Sequence, residues 1–241
     1  MNYIFTFSIL IIGLSGIVAQ VLFMRELLIG FYGNELTLGI ILANWVILEA
    51  LGVFILGKFI DRIENKINVF IILQLIFSTT LPLFLYFSRT FKDILLGIPF
   101  GEAIGLYTIF YASFFIILPA SFCHGALFSC ISKIYSLYVK ESARSIGKVY
   151  TWETVGTIVG GIILTYFFIP YLNSFQIAFI ISLSNLIICL ILFRYITNVT
   201  LKYIILSLTA LVLCLFLSGS VNYIHRLSIK RQWKMHNVNK R

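Results

Sequence analysis

The sequence predicts an all-α, polytopic membrane helix bundle of about seven spans, with a transmembrane bundle over residues 1–220 and a basic tail or linker over 221–241. Composition is the first reason. Residues are 60% hydrophobic and 11% charged, with a mean hydropathy of +1.02, which excludes a soluble globule. The second reason is length: apolar runs of about 20 residues, the number that crosses a hydrocarbon core, recur along the chain. The third is where the charge lies. Lys and Arg sit between the runs or at their ends, so the net charge of +9 reads as the loop bias of a membrane protein and not as a nucleic-acid surface. Cys123, Cys130, Cys189 and Cys214 fall inside apolar stretches and read as small buried hydrophobes, not as a disulfide framework.

The first run, Tyr3–Phe23, has no charged residue, and no basic segment precedes it, so no cleavable signal peptide is expected. A charged turn at Arg25 and Glu26 leads to the second run, Leu36–Ile60, which ends in the charged loop Asp61-Arg62-Ile63-Glu64-Asn65-Lys66. Val69–Phe87 is the third. The amphipathic stretch FKDILLGIPFGE reads as a short interfacial or re-entrant segment before the fourth run, Ile104–Ser132. That run is long enough to tilt, or to bend at Pro119, whose ring interrupts the hydrogen-bond ladder. Tyr150–Pro170, Phe175–Phe193 and Tyr203–Ser218 complete the seven.

Charge sets the expected orientation. With the N-terminus inside, the inner loops hold Lys58, Arg62 and Lys66, then Lys133, Lys140, Arg144 and Lys148, then Arg194 and Lys202. The outer side holds only Arg25, Arg89 and Lys92 before the tail. Seven spans put Arg226, Lys230, Arg231, Lys234, Lys240 and Arg241 outside, against the same rule, so the side of the tail stays open.

Polar residues inside the apolar runs mark the candidate site, because each is costly in hydrocarbon unless paired. Gln20, Arg25, Glu26, Glu35, Asn44 and Glu49 are such residues in the first third of the chain. Gly13, Gly16 and Gln20 share a helix face, and Glu153, Gly156 and Gly160 repeat that spacing, so Glu153 points into the bundle with its glycines. Glu35 and Glu49 also share a face, with pairing to a base such as Arg25 as the structural alternative. The ligand-binding candidates are therefore Glu153, Glu49, Glu35, Gln20, Arg25 and Glu26. Glu102 reads as interfacial. His124 beside Cys123, with Cys130 farther along, lacks a convergent ligand set, so neither a metal site nor a cofactor is expected.

The loop Gly57-Lys58-Phe59-Ile60-Asp61-Arg62 with Lys66 resembles the cytoplasmic loop signature of major facilitator superfamily transporters. The resemblance implies that Gly57, Asp61 and Arg62 latch neighbouring helices on the inner side. The stretches GLSGIVAQVLFMRELL, GNELTLGIILANW, LPASFCHGALFSCISKIY and IGKVYTWETVGTIVGGIILTYFFIP, in that order, resemble the membrane half of multi-pass spermidine-synthase-like proteins over about residues 10–235. In that family a facilitator-like half, two inverted three-helix repeats, is fused to a soluble aminopropyltransferase domain. At Glu153 many of those relatives carry a neutral polar residue. RLSIKRQWKMHNVNKR resembles the linker into the soluble domain, and no glycine-rich nucleotide-binding turn follows it. The chain alone is thus not expected to be an enzyme.

These readings lead to a membrane module of a spermidine-synthase-like system that handles polyamines or related amines, in the plasma membrane of a prokaryote. Its implied partners are the lipid membrane, a soluble aminopropyltransferase domain or subunit, and further copies of itself; nucleic acid is not among them. Two other classes stay open at this point: a self-sufficient, dimeric transporter of a small cationic or organic solute, and a non-catalytic membrane scaffold.

Overall fold

The structure, a computed structural model, describes residues 2–91, 104–139 and 142–232. Among these every regular element is helical, and seven helices are long and apolar enough to cross a membrane. The protein is an integral, multi-pass membrane protein. Its spanning helices are α1 (Asn2–Phe31), α2 (Glu35–Phe59), α3 (Lys66–Phe91), α4 (Leu106–Val139), α5 (Ser142–Ile163), α6 (Ser174–Ile191) and α7 (Val199–Leu217). A last helix, α8 (Ser220–Gln232), follows.

Local chemistry fixes the turns. Asn34, Asn173 and Asn198 each stand before a helix with the side-chain oxygen accepting from backbone N–H groups of the first turn, which have no partner within the helix. Asn173 and Gln176 make a full capping box. Gly219, at φ +72°, turns the chain from α7 into α8, a conformation only glycine adopts without cost.

One expectation meets a different outcome. Arg25 and Glu26 do not form a turn: α1 runs on to Phe31, because burial of Glu26 against a base removes the reason to break. The helix α4 continues through Pro119. A π-helical stretch, Leu164–Phe168, carries α5 into a final turn, Ile169–Tyr171. Pro170 has no N–H to donate and crowds the carbonyl four residues back, and the wider turn opens the helix there. The segment expected to be interfacial after Phe91, with Glu102, and the tail past Gln232 lie outside the described residues.

Packing follows a repeat. α2 lies along α4 as α1 lies along α5; α3 meets α4 as α6 meets α1; α1 touches α2 as α4 touches α5. Exchanging helices 1–3 with 4–6 maps these pairings onto one another and leaves α1–α4 and α3–α6 in place, whereas the α1–α3 contact has no counterpart of similar extent. With an odd number of helices per repeat, the second is inverted relative to the first. α7 packs on α6, outside this arrangement.

The expected linker is partly built into the bundle. α8 folds back on α3 and α6, and its His225 and Ser228 reach Arg89 at the end of α3. Arg226, Lys230 and Arg231 therefore lie at the end of the bundle opposite the Lys58–Lys66 loop.

Candidate functional site

The repeat is built on glycine, and the glycines set the site. A Cβ on Gly13 would strike the Glu153 carbonyl on α5, and one on Gly125 would strike the Glu49 carbonyl on α2. A Cβ on Gly156 would strike the Leu10 carbonyl of α1, and one on Gly52 the Phe122 carbonyl of α4. Each crossing is thus a pair of glycines letting two backbones touch, the small-residue packing of membrane helices. The correspondence is by residue: Glu49 and Gly52 in one repeat match Glu153 and Gly156 in the other, each pair three residues apart. The two glutamates are pseudo-equivalent.

Between them stands His124 on α4, buried against Gly16, where a Cβ would enter the imidazole ring. Trp45 and Phe77 flank the ring at 6.4 and 6.2 Å. Its Nδ1 lies 2.6 Å from Glu49 Oε1, and its Nε2 3.2 Å from the Ile12 carbonyl and 4.0 Å from Glu153 Oε1. One ligand atom from each of Glu49, His124 and Glu153 falls within 4.8 Å of the others.

The two carboxylates are not treated alike. Glu49 accepts from the Trp45 indole N–H at 3.0 Å through Oε2 and shares a proton with His124 through Oε1. Glu153 receives no hydrogen bond among the described residues, and 4.0 Å from Nε2 is too far for one. Both are partly open, with 30% of the Glu49 side chain and 16% of the Glu153 side chain exposed, while His124 retains 6%. A group entering the cluster therefore meets the carboxylates first.

A cavity of about 310 Å³ opens toward the α2–α3 loop, lined by Val53, Gly57 and Asp61 of α2 and its end, Phe128 and Lys133 of α4, and Ile146 of α5. By helical periodicity, Glu49 stands about one turn beyond Val53 on α2 and Glu153 about two turns beyond Ile146 on α5. At its mouth Asp61 pairs with Lys133, joining the end of α2 to α4. Gly57 faces Ser129 of α4, and Arg62 is exposed.

The other sequence candidates lie elsewhere. Glu26 is buried and held by Arg89, with Nε and Nη2 each donating at 2.6 Å. Arg89 Nη1 donates to Ser228 Oγ at 2.9 Å and faces His225 Nδ1 at 3.1 Å, while its guanidinium lies 5.1 Å from the Phe175 ring centre. This is a structural junction of α1, α3, α6 and α8, at the opposite end from the cavity. Glu35 is exposed in the first turn of α2, about 21 Å along the helix from Glu49. Arg25 and Gln20 are half-buried on α1, and Arg25 makes no ion pair among the described residues. The cluster thus gathers Glu49 and Glu153 and leaves Glu26, Glu35, Arg25 and Gln20 outside it.

His124 is the residue that sequence reasoning set aside. Its neighbouring thiols do not supply the partners; carboxylates from two other helices do. The sequence signal that finds it is the matched E-x-x-G of α2 and α5, whose glycines pack the two glutamates against α4 and α1. Gln74, wholly buried on α3 one turn from Phe77, was also passed over; neither of its amide atoms has a partner among the described residues. Comparisons of the chain with family models, with curated proteins and with solved structures return no match.

Proposed function

We propose that the chain is a membrane module that recognises a small organic cation of the amine class at the Glu49–His124–Glu153 cluster. The observation that carries this reading is a pair of pseudo-equivalent carboxylates in the apolar interior, within 4.8 Å of each other and of one histidine, one of them with no donor among the described residues. An ionised carboxylate at the centre of a membrane span costs about 2.5–3.5 kcal/mol on insertion scales, so it persists where it holds a cation or a proton. An ammonium group suits the geometry. It has three donors, forms charge-assisted bonds of about 2.8 Å, and spans two carboxylate oxygens at this separation.

The resemblance to spermidine-synthase-like membrane domains supports a polyamine or related amine as the ligand and an aminopropyltransferase domain or subunit as the partner. In this reading the Lys58–Lys66 loop faces the cytoplasm of a prokaryotic cell, and the cavity beside it is the amine's way in. A second reading, transport by the chain itself, is favoured by the position of the cluster where two inverted repeats meet, which is where transporters of repeat architecture bind their substrates.

The test is binding of labelled spermidine and putrescine to the purified chain, with Glu153→Gln as the comparison. The expected result is saturable binding that weakens tenfold or more in the variant while the fold survives. Equal binding by both proteins, or none by the native chain, overturns the proposal. Counterflow of the same amines in vesicles containing only this chain separates transport from recognition.

A further inference from the structure

The cluster's hydrogen bonds also fix what must be exchanged when a cation binds. His124 has an acceptor at both ring nitrogens: Glu49 Oε1 at Nδ1 and the Ile12 carbonyl at Nε2. A carbonyl never donates, so Nε2 carries a proton. The 2.6 Å contact between Nδ1 and Glu49 likewise requires a proton between the two groups, and whichever side holds it, the Glu49–His124 pair is neutral as a unit. Trp45 adds a donor to Glu49 and no charge. The pair is complete.

Glu153 then stands alone with one negative charge. The elements packed against α5 bring it no other base. α1 presents Gly13, Leu10, Leu14 and Ile17 to this face of α5, and α4 brings His124, already committed. The titratable groups around Glu153 are therefore Glu49 and His124 and no others among the described residues. In an apolar interior the cluster is neutral in two ways: with a proton on Glu153, or with one monovalent cation in its place.

We infer that Glu153 exchanges one proton for one monovalent ammonium group, while the Glu49–His124 pair keeps its proton throughout. The carboxyl proton of Glu153 passes to water as the ammonium takes its position, no covalent bond changes, and the net charge of the site stays at zero. Pseudo-symmetry thus supplies two matched carboxylates with different tasks: Glu49 holds the histidine and Glu153 meets the ligand. The alternative occupant, a divalent metal on Nε2 and Glu153, must also displace the proton on Nε2. It releases two protons for neutrality, and the proton count distinguishes the two.

This inference rests on the cation-binding reading above, and the experiment keeps their failures apart. Calorimetric titration of the purified chain with butylammonium, in buffers of different ionisation enthalpy, reads protons released per cation bound. One proton is expected, with apparent affinity falling about tenfold per unit drop in pH where the free site holds its proton. Zn²⁺ is titrated in parallel. A histidine ring resonance assigned to His124 should not shift its titration state on butylammonium binding, and Glu153→Gln should lose both binding and release. Butylammonium binding with no proton released overturns the exchange and leaves cation recognition standing, whereas binding that is unchanged in Glu153→Gln overturns both readings. Zn²⁺ binding with two protons released, and displacement of butylammonium by it, assigns the site to a metal and overturns the inference. No binding of either cation overturns both readings.

Discussion

Removing Arg89 tests the account of the bundle's interior most directly. The guanidinium and the Glu26 carboxylate retain 5% and 4% of their side-chain exposure and meet through two 2.6 Å bonds. Arg89→Met keeps most of the volume and deletes the charge, leaving Glu26 buried without a counter-ion. Breaking a buried pair in this way costs about 3–5 kcal/mol, two or more decades in the folded-to-unfolded ratio. The variant also loses the bonds from Nη1 to Ser228 and His225, each worth about 0.5–1.5 kcal/mol. Replacing both partners, Glu26→Leu with Arg89→Met, removes the stranded charge. The double variant should therefore recover most of the loss and keep only the α8 term. Unfolding of the four proteins in mixed micelles with increasing sodium dodecyl sulfate yields the double-mutant cycle. A cost below about 1 kcal/mol for Arg89→Met, or additive single effects, refutes the junction as described.

Three further outcomes follow from the same contacts. Burial, and then the neighbouring Arg89 charge, hold the His225 pKa below the usual histidine value against the opposing pull of Glu26. Arginine only donates, so Nδ1 must accept and the ring is neutral. A base with a lowered folded pKa contributes its stability above the unfolded value of about 6.5 and loses it as pH falls below that value. Protection of the α8 amides, taken relative to their intrinsic exchange rates, should fall as pH drops below about 6.5, and His225→Gln, which still accepts, should abolish that loss. Gly125→Ala drives a methyl into the Glu49 backbone and should cost about 1–3 kcal/mol, whereas Gly161→Ala, with open space around it, should be neutral or stabilise by about 0.5–1 kcal/mol; equal effects in micelle unfolding contradict the crossing. Cysteine at Asn65 should react in intact cells only with a thiol reagent that crosses the membrane; labelling by an impermeant reagent reverses the proposed orientation.

The seven spans, their order and their apolar character were legible in the chain, because a hydrocarbon solvent imposes its demand locally. About 20 apolar residues in a row suffice, whatever lies beside them. The glycine faces at Gly13, Gly16, Gly156 and Gly160 were legible for the same reason, since spacing along one helix fixes a face. Their partners were not. His124 meets Glu49 across 75 residues of sequence, and Glu26 meets Arg89 across 63, and no local pattern encodes which helix comes to lie against which. Arg25 and Glu26 looked alike as a charged turn, yet one is buried in an ion pair and the other is half-exposed on the same helix. The basic segment after Ser218 read as a tail, and contacts distant in sequence draw it back as α8: Arg89 donates to Ser228 at the end of α3, and Asn173 donates to Asn222. Glu49 and Glu153 differ in the same way. The sequence makes them equivalent, one glutamate three residues before a glycine in each repeat, and the tertiary structure divides their roles by setting Trp45 and His124 on Glu49 and, among the described residues, no donor on Glu153. Glycine content set how closely the helices approach; the crossings they permit decided which charges meet, because charge pairing acts over a few ångströms and only the packed bundle brings groups that near.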